Sequence, residues 1–174
     1  MTDADLIQRI ADSALLRGTF TLRSGRTSHY YLDKYLFQTQ PDILKALGER
    51  FARYVDGNVD RLAGAELGGI PLVSSAAMAS GKPMLFIRNQ KKEYGTAKQL
   101  EGKLNKGDRV LIVEDIATTG GQVLEAAKVL TDAGAKVVRI VAVVDRQEGA
   151  RENIEKAGYP FDALFTKKDL GIHE

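Results

Sequence analysis

Apolar residues at the start of the chain recur at helical spacing. Leu6, Ile7, Ile10, Ala14 and Leu15 share one stripe, which predicts an amphipathic helix over residues 3–16. Two short β-rich runs follow at 20–23 and 30–33, separated by SGRTSH, and predict a hairpin or two short strands. Gln40-Pro41-Asp42 opens a helix running to about residue 55, with proline in the first turn, where its missing N–H costs little. From residue 60 the pattern alternates. Strands are predicted over 61–65, 83–88, 109–114, 136–144 and 161–165, and helices over 72–80, 122–133 and 148–157. RVLIVE and KVVRIVAVV are continuous apolar runs, as expected of strands covered on both faces. The predicted class is α/β, with a mostly parallel central sheet flanked by helices and an N-terminal helix and hairpin cap. Residues 89–107 break the alternation. They are polar and poorly periodic, and a connection of that length is usually a functional lid or a disordered segment.

Length changes the picture little: 174 residues suit one domain, with 1–59 as the N-terminal portion and 60–166 as the α/β core. Charge changes it more. Lys plus Arg number 25 against 23 Asp plus Glu, a net +2, which argues against a nucleic-acid partner. With no cysteine and only His29 and His173, disulfides, a thiolate nucleophile and a thiolate or histidine zinc site are not expected. No apolar run approaches the ~18 residues of a membrane span, and the N-terminus lacks a basic start followed by an apolar core. A soluble, cytoplasmic protein with no membrane partner is expected.

The segment VLIVEDIATTGGQVLEAAKVL, residues 110–130, carries the chemistry. A buried strand ends in Glu114 and Asp115. Ile116 and Ala117 follow, then Thr118-Thr119-Gly120-Gly121, then a helix opening at Gln122. Hydroxyls, unblocked N–H groups and the positive end of a helix dipole suit a phosphate monoester. The two carboxylates are placed to accept hydrogen bonds from sugar hydroxyls or to face a magnesium ion. Phosphate on the loop and a diol on the acids together describe a ribose 5-phosphate. The plainer alternative is a polar turn in which Asp or Thr caps the next helix. No GxGxxG follows a strand, and Gly102 to Gly107 is followed by Asp108, so neither rival phosphate motif is present.

VLIVEDIATTGG resembles the phosphoribosyl-diphosphate signature of type I phosphoribosyltransferases. Within them the chain most resembles the orotate phosphoribosyltransferase family over nearly its whole length. FTLRSGRTSHYYLD (20–33), GAELGGIPL (64–72), FIRNQKKEYGT (86–96) and VVDRQEGA (143–150) support the narrower likeness. The resemblance implies the type I phosphoribosyltransferase fold with an N-terminal hood, and magnesium-dependent transfer of a phosphoribosyl group to orotate. It implies that Thr118, Thr119, Gly120 and Gly121 hold the 5-phosphate, with Ile116, Ala117 and Gln122 in the same binding segment. Glu114 and Asp115 fall on the ribose hydroxyls, Asp115 also within the catalytic set. It further implies that Lys92 and Arg88 are catalytic and bind the diphosphate together with Asn89 and Tyr94. Arg23, Tyr31, Thr118 and Arg146 fall on orotate. Magnesium is implied mainly through substrate diphosphate and water, with no protein ligand assigned. A homodimer is implied, its mobile 89–107 loop acting on the neighbouring site.

Residue by residue, the chain departs from that pattern. Arg23 stands where many relatives carry lysine, Asn89 where they usually have a second lysine, and Tyr94 where many have histidine. Gly68 stands where some have lysine, and Gln122 where serine or alanine is common. Lys91, offset by two, partly replaces the charge missing at Asn89. Arg146 has a structural alternative, a surface salt bridge to Glu148, and Tyr30 and Tyr31 are equally suited to core or hairpin packing. Two other functions share these features: transfer to another base, such as a purine, or nucleotide sensing by a catalytically weak regulator.

Overall fold

The computed structural model describes residues 1–22, 25–90 and 98–174. Helix α1 (Asp3–Ala14) starts with a capping box in which Thr2 and Asp5 satisfy one another's backbone N–H groups. It buries Leu6, Ile10 and Ala14, the predicted stripe. It ends at Ala14 rather than 16, because Leu15 already belongs to β1 (Leu15–Thr21), which pairs antiparallel with β2 (Thr27–Leu32). Both strands extend further toward the N-terminus than predicted. A five-residue helix, α2 (Lys34–Gln38), then appears where no periodicity announced one, capped by the Asp33 carboxylate on the Tyr35 N–H at 3.1 Å. Helix α3 (Pro41–Ala52) completes this N-terminal part, with proline at its start as expected.

The second sheet has six strands in the order β5-β4-β3-β6-β7-β8. These are β3 (Arg61–Ala65), β4 (Met84–Ile87), β5 (Leu100–Glu101), β6 (Arg109–Ala117), β7 (Lys136–Asp145) and β8 (Phe161–Thr166). All neighbours are parallel except β5, which runs antiparallel to β4. Helices α4 (Gly69–Ser80), α5 (Gly121–Asp132) and α6 (Ala150–Lys156) lie between strands in the chain.

Residues along β6 alternate between two hydrophobic cores. Leu111 and Val113 join the cluster containing Leu6, Ile10, Leu47 and Phe51 from the hood side. Val110 and Ile112 join the other, with Val123, Ala126 and Leu130 of α5 and Ile154 of α6. Coverage of both faces explains why the strands read as unbroken apolar runs.

Three boundaries differ from expectation in ways that affect the site. Helix α4 begins at Gly69, three residues earlier than predicted, because Pro71 fits a first turn. Strand β6 continues through Ala117, so Glu114 and Asp115 lie inside the strand rather than at its end. The 89–107 segment is not one continuous loop. Leu100–Glu101 adds β5 to the sheet edge, and the Arg88 N–H donates to the Gln99 carbonyl at 2.8 Å. Leu100 packs against the second core, which draws this polar stretch back onto the sheet.

Candidate functional site

Parallel strands β3, β4, β6 and β7 bring their carboxyl ends to one edge, where α/β sheets bind ligands. Two adjoining cavities open there, of about 290 Å³ and 160 Å³, and share Glu114 and Gln122. The larger is lined by Lys34, Glu66, Gly68, Arg88, Asn89 and Asp115 among others, the smaller by residues 116–121.

The smaller cavity is formed by the TTGG loop, and its chemistry suits an anion. Gly120 is the N-cap of α5 with φ 85° and ψ 0°, and no side chain caps the helix, so the first-turn N–H groups face outward unblocked. Glycine is required there twice over. The backbone is left-handed, and a Cβ would come 3.0 Å from Ile154 of α6. The Asn153 side chain steadies the loop from α6 by donating to the Thr119 carbonyl at 2.8 Å.

The acid pair is divided by the pleat of β6. Asp115 continues the Leu111/Val113 side and Glu114 the Ile112 side. Asp115 is 4% exposed and makes a 2.8 Å ion pair with Lys34 of α2. Glu114 accepts the Asp115 N–H at 2.9 Å. Burial first, and then the charge of Asp115, push the Glu114 carboxyl up to about 8. Burial pulls the Lys34 ammonium down, but the hydrogen bond and charge of Asp115 outweigh it and hold Lys34 above its ordinary value. Glu114 is therefore protonated at neutral pH and can donate to one oxygen as well as accept from another, beside an Asp115 that is bonded to Lys34.

Arg146 lies just beyond β7, its N–H bonded to the Ala117 carbonyl at 2.9 Å. Its guanidinium donates to the Tyr30 hydroxyl at 2.6 Å, lies 5.3 Å from that ring's centroid, and reaches Glu148 at 3.2 Å. The salt bridge set against a site role is thus present, and one Arg146 nitrogen, Nε, remains buried without a partner. Tyr30 is buried whereas Tyr31 is 47% exposed, on the opposite face of β2, tilted against Phe20 at 5.8 Å. The structure thus brings Tyr30, not Tyr31, to Arg146.

Arg88 and Asn89 follow β4 into the larger cavity. Glu66 accepts the Asn89 N–H, and the Gln99 amide donates to the Arg88 carbonyl at 3.0 Å. The Arg88 Nε is buried and unpartnered. Arg23, Lys91, Lys92 and Tyr94 lie outside the described residues. Lining residues such as Lys34 and Glu125 had no sequence signal, since each reaches the cavity only through tertiary placement.

A family model for the phosphoribosyl transferase domain matches residues 37–158. The chain is 45% identical to the orotate phosphoribosyltransferase of Pyrococcus abyssi over 170 residues, 95% of this chain and 93% of that one. Among solved structures it is similar to Mycobacterium tuberculosis orotate phosphoribosyltransferase, with a TM-score of 0.88 at 31% identity over 98% of this chain and 99% of that one. A second structure of that enzyme, in complex with 5-phospho-alpha-D-ribosyl 1-diphosphate, gives 0.82 at 32% identity over 98% and 99%. With a family model matching most of its length and relatives alike over nearly their full length, the chain belongs to the orotate phosphoribosyltransferases of the phosphoribosyl transferase family.

Proposed function

We propose that the protein transfers the phosphoribosyl group of phosphoribosyl diphosphate to N1 of orotate, releasing diphosphate and giving orotidine 5-monophosphate for UMP synthesis. The observation that carries the reading is the unblocked α5 N-terminus lying one cavity away from the Glu114–Asp115 pair. Thr118, Thr119, Gly120 and Gly121 hold the 5-phosphate, and Glu114 and Asp115 take the ribose hydroxyls. Ile116, Ala117 and Gln122 shape the wall between the two. Arg88 and Lys92, with Asn89 and Tyr94, receive the diphosphate. Arg146 and Arg23, with Thr118, receive the orotate anion, for which a planar guanidinium is suited, and Tyr30, which holds Arg146, takes the place expected of Tyr31.

The C1–diphosphate bond breaks as the N1–C1 bond forms, with positive charge developing on the ribose carbon, and the N1 proton passes to solvent or to the departing diphosphate. No side-chain nucleophile is needed. The residues hold both reactants in line and stabilise the departing charge, and removing one preorganised donor of that kind typically costs ~10²–10³ in rate. Magnesium fits this lining. The ion would be held mainly by diphosphate oxygens and water, with Glu114 and Asp115 lining the cavity beside it. When bound, it supplies charge neutralisation between a polyanionic substrate and an acidic wall. The chain folds as one catalytic domain and works as a homodimer, the 89–107 segment serving the neighbouring site. The proposed location is the cytoplasm; no helix among the described residues is long and apolar enough to cross a membrane.

The test follows orotate absorbance with phosphoribosyl diphosphate, with and without magnesium. Magnesium-dependent loss of orotate is expected. Persistence of orotate alongside consumption of a purine base would reassign the acceptor.

A further inference from the structure

Lys34 is the first residue of α2, and its side chain leaves the hood to reach the central sheet. Its backbone is fixed from both sides: Asp33 caps the helix, and the Asp33 N–H is bonded to the Ala14 carbonyl at 2.9 Å. Its ammonium lies 2.8 Å from Asp115 Oδ2 and 5.5 Å from the centroid of the Tyr35 ring. Gly68 provides the room. A Cβ there would stand 1.7 Å from Asp115 Oδ2 and 3.4 Å from Lys34 Cε. The pair fills the slot left by that missing side chain, yet it is not sealed, since the Lys34 side chain remains 31% exposed and both residues line the larger cavity.

Charge then decides what Lys34 is for. The described lining of that cavity holds two cations, Lys34 and Arg88, against the acidic side chains of Glu66, Asp115 and Glu125, with Glu114 held neutral. The ligand assigned to it is itself a polyanion. An ammonium bonded to a buried carboxylate keeps spare N–H donors but has its charge largely compensated, so it attracts an incoming anion weakly until that carboxylate gains another donor. Ribose hydroxyls are neutral donors that would satisfy Asp115 and leave Lys34 uncompensated. Lysine has a flexible four-carbon stem and a compact charge suited to such an exchange.

We propose that Lys34 is a substrate-binding residue, a cation supplied by the hood that exchanges Asp115 for the diphosphate of phosphoribosyl diphosphate when the ribose hydroxyls occupy Asp115. The inference rests on the functional reading above and adds to it a diphosphate ligand from the N-terminal part of the chain.

Binding calorimetry on the full chain and on Lys34→Ala, Lys34→Gln and Lys34→Arg tests it, with phosphoribosyl diphosphate and ribose 5-phosphate as separate ligands. Loss of one charge-assisted hydrogen bond should weaken phosphoribosyl diphosphate by about 10- to 100-fold in the Ala and Gln variants. Ribose 5-phosphate, which lacks the diphosphate, should bind as before or more tightly because Asp115 has lost a competing partner. Lys34→Arg should recover most of the loss. Equal weakening of both ligands would overturn the proposal, leaving Lys34 as an orienter of Asp115, and so would unchanged binding of phosphoribosyl diphosphate. The Gln and Arg variants keep the stem that fills the slot, so the comparison survives if the Ala variant folds poorly. Failure of the unsubstituted chain to bind phosphoribosyl diphosphate would remove the functional reading itself, and this proposal with it.

Discussion

Gly68→Ala isolates the relation between the 66–69 turn and Asp115. Gly68 has φ −64° and ψ −28°, an ordinary right-handed conformation, so alanine meets no backbone strain. By restricting the unfolded chain it should even stabilise by about 0.4–1 kcal/mol. Against this, the new Cβ would stand 1.7 Å from Asp115 Oδ2 and 2.9 Å from its Cγ. A comfortable carbon–oxygen contact needs about 3.3–3.6 Å, so the carboxylate has to leave its position and with it the 2.8 Å bond to Lys34. Removing one member of a buried ion pair costs about 3–5 kcal/mol, and here both charges remain and can find water, so a net loss of about 1–3 kcal/mol is expected. At roughly 2–4 °C per kcal/mol for a chain of this size, Tm should fall by about 2–12 °C. A double-mutant cycle with Lys34→Met supplies the decisive number. If the cost runs through the pair, Gly68→Ala should cost at least about 1 kcal/mol less once Lys34 is gone. Additive losses, or a Gly68→Ala chain as stable as its parent, would refute the steric argument.

Other substitutions probe the surroundings. Gly64→Ala should cost more through a different route, because its Cβ would meet backbone, the Gly69 carbonyl oxygen at 2.3 Å, and cannot be relieved by a side-chain rotation; overpacking of about 3 kcal/mol should appear in denaturant unfolding. The raised Glu114 carboxyl means that the folded state holds a proton which the unfolded chain, at its ordinary 4.5, releases. That contribution is fully present below pH 4.5 and is lost as pH rises through about 8, with a slope of at most ~1.4 kcal/mol per pH unit. Glu114→Gln should remove this slope, and parallel stability curves for the two chains between pH 5 and 8 would contradict it. Tyr30→Phe leaves a ring beside Arg146 but deletes the 2.6 Å bond to it, so KM for orotate should change while KM for phosphoribosyl diphosphate stays within about twofold.

The core strands were legible because burial on both faces leaves a run such as 110–113 or 140–144 with no polar position to disguise it. The same logic misplaced the end of β6. Two carboxylates look like a strand terminus, yet Glu114 and Asp115 continue the pleat and line a cavity, which makes their burial tolerable. Five-residue α2 and two-residue β5 are too short to display a period at all. The helix start after TTGG was readable since an N-terminus is marked locally, here by left-handed glycine ahead of an apolar period. Lys34 was not, because its role depends on a residue 81 positions away and on the absence of a side chain at a third position. Nor could sequence choose between Tyr30 and Tyr31: adjacent tyrosines on one strand differ only in the parity that register assigns them.

Two contacts tie the hood to the strand ends: Lys34 to Asp115 on β6, and Tyr30 to Arg146 beyond β7. Each uses a group that the proposed reaction also needs. At these two points the free protein therefore does not present bare charges to its ligands. Asp115 has an ammonium, and Arg146 has a phenol and the Glu148 carboxylate. Substrate affinity is then a difference between two sets of satisfied bonds, smaller than a count of ligand contacts would suggest. In return the functional groups are held near their working positions by neighbours that are themselves fixed, Tyr30 in a paired strand and Lys34 at a capped helix start. This arrangement predicts an asymmetry. Deleting a hood partner should loosen the placement of Asp115 or Arg146 more than it empties the site. Its signature is a changed balance between the two substrates rather than loss of both.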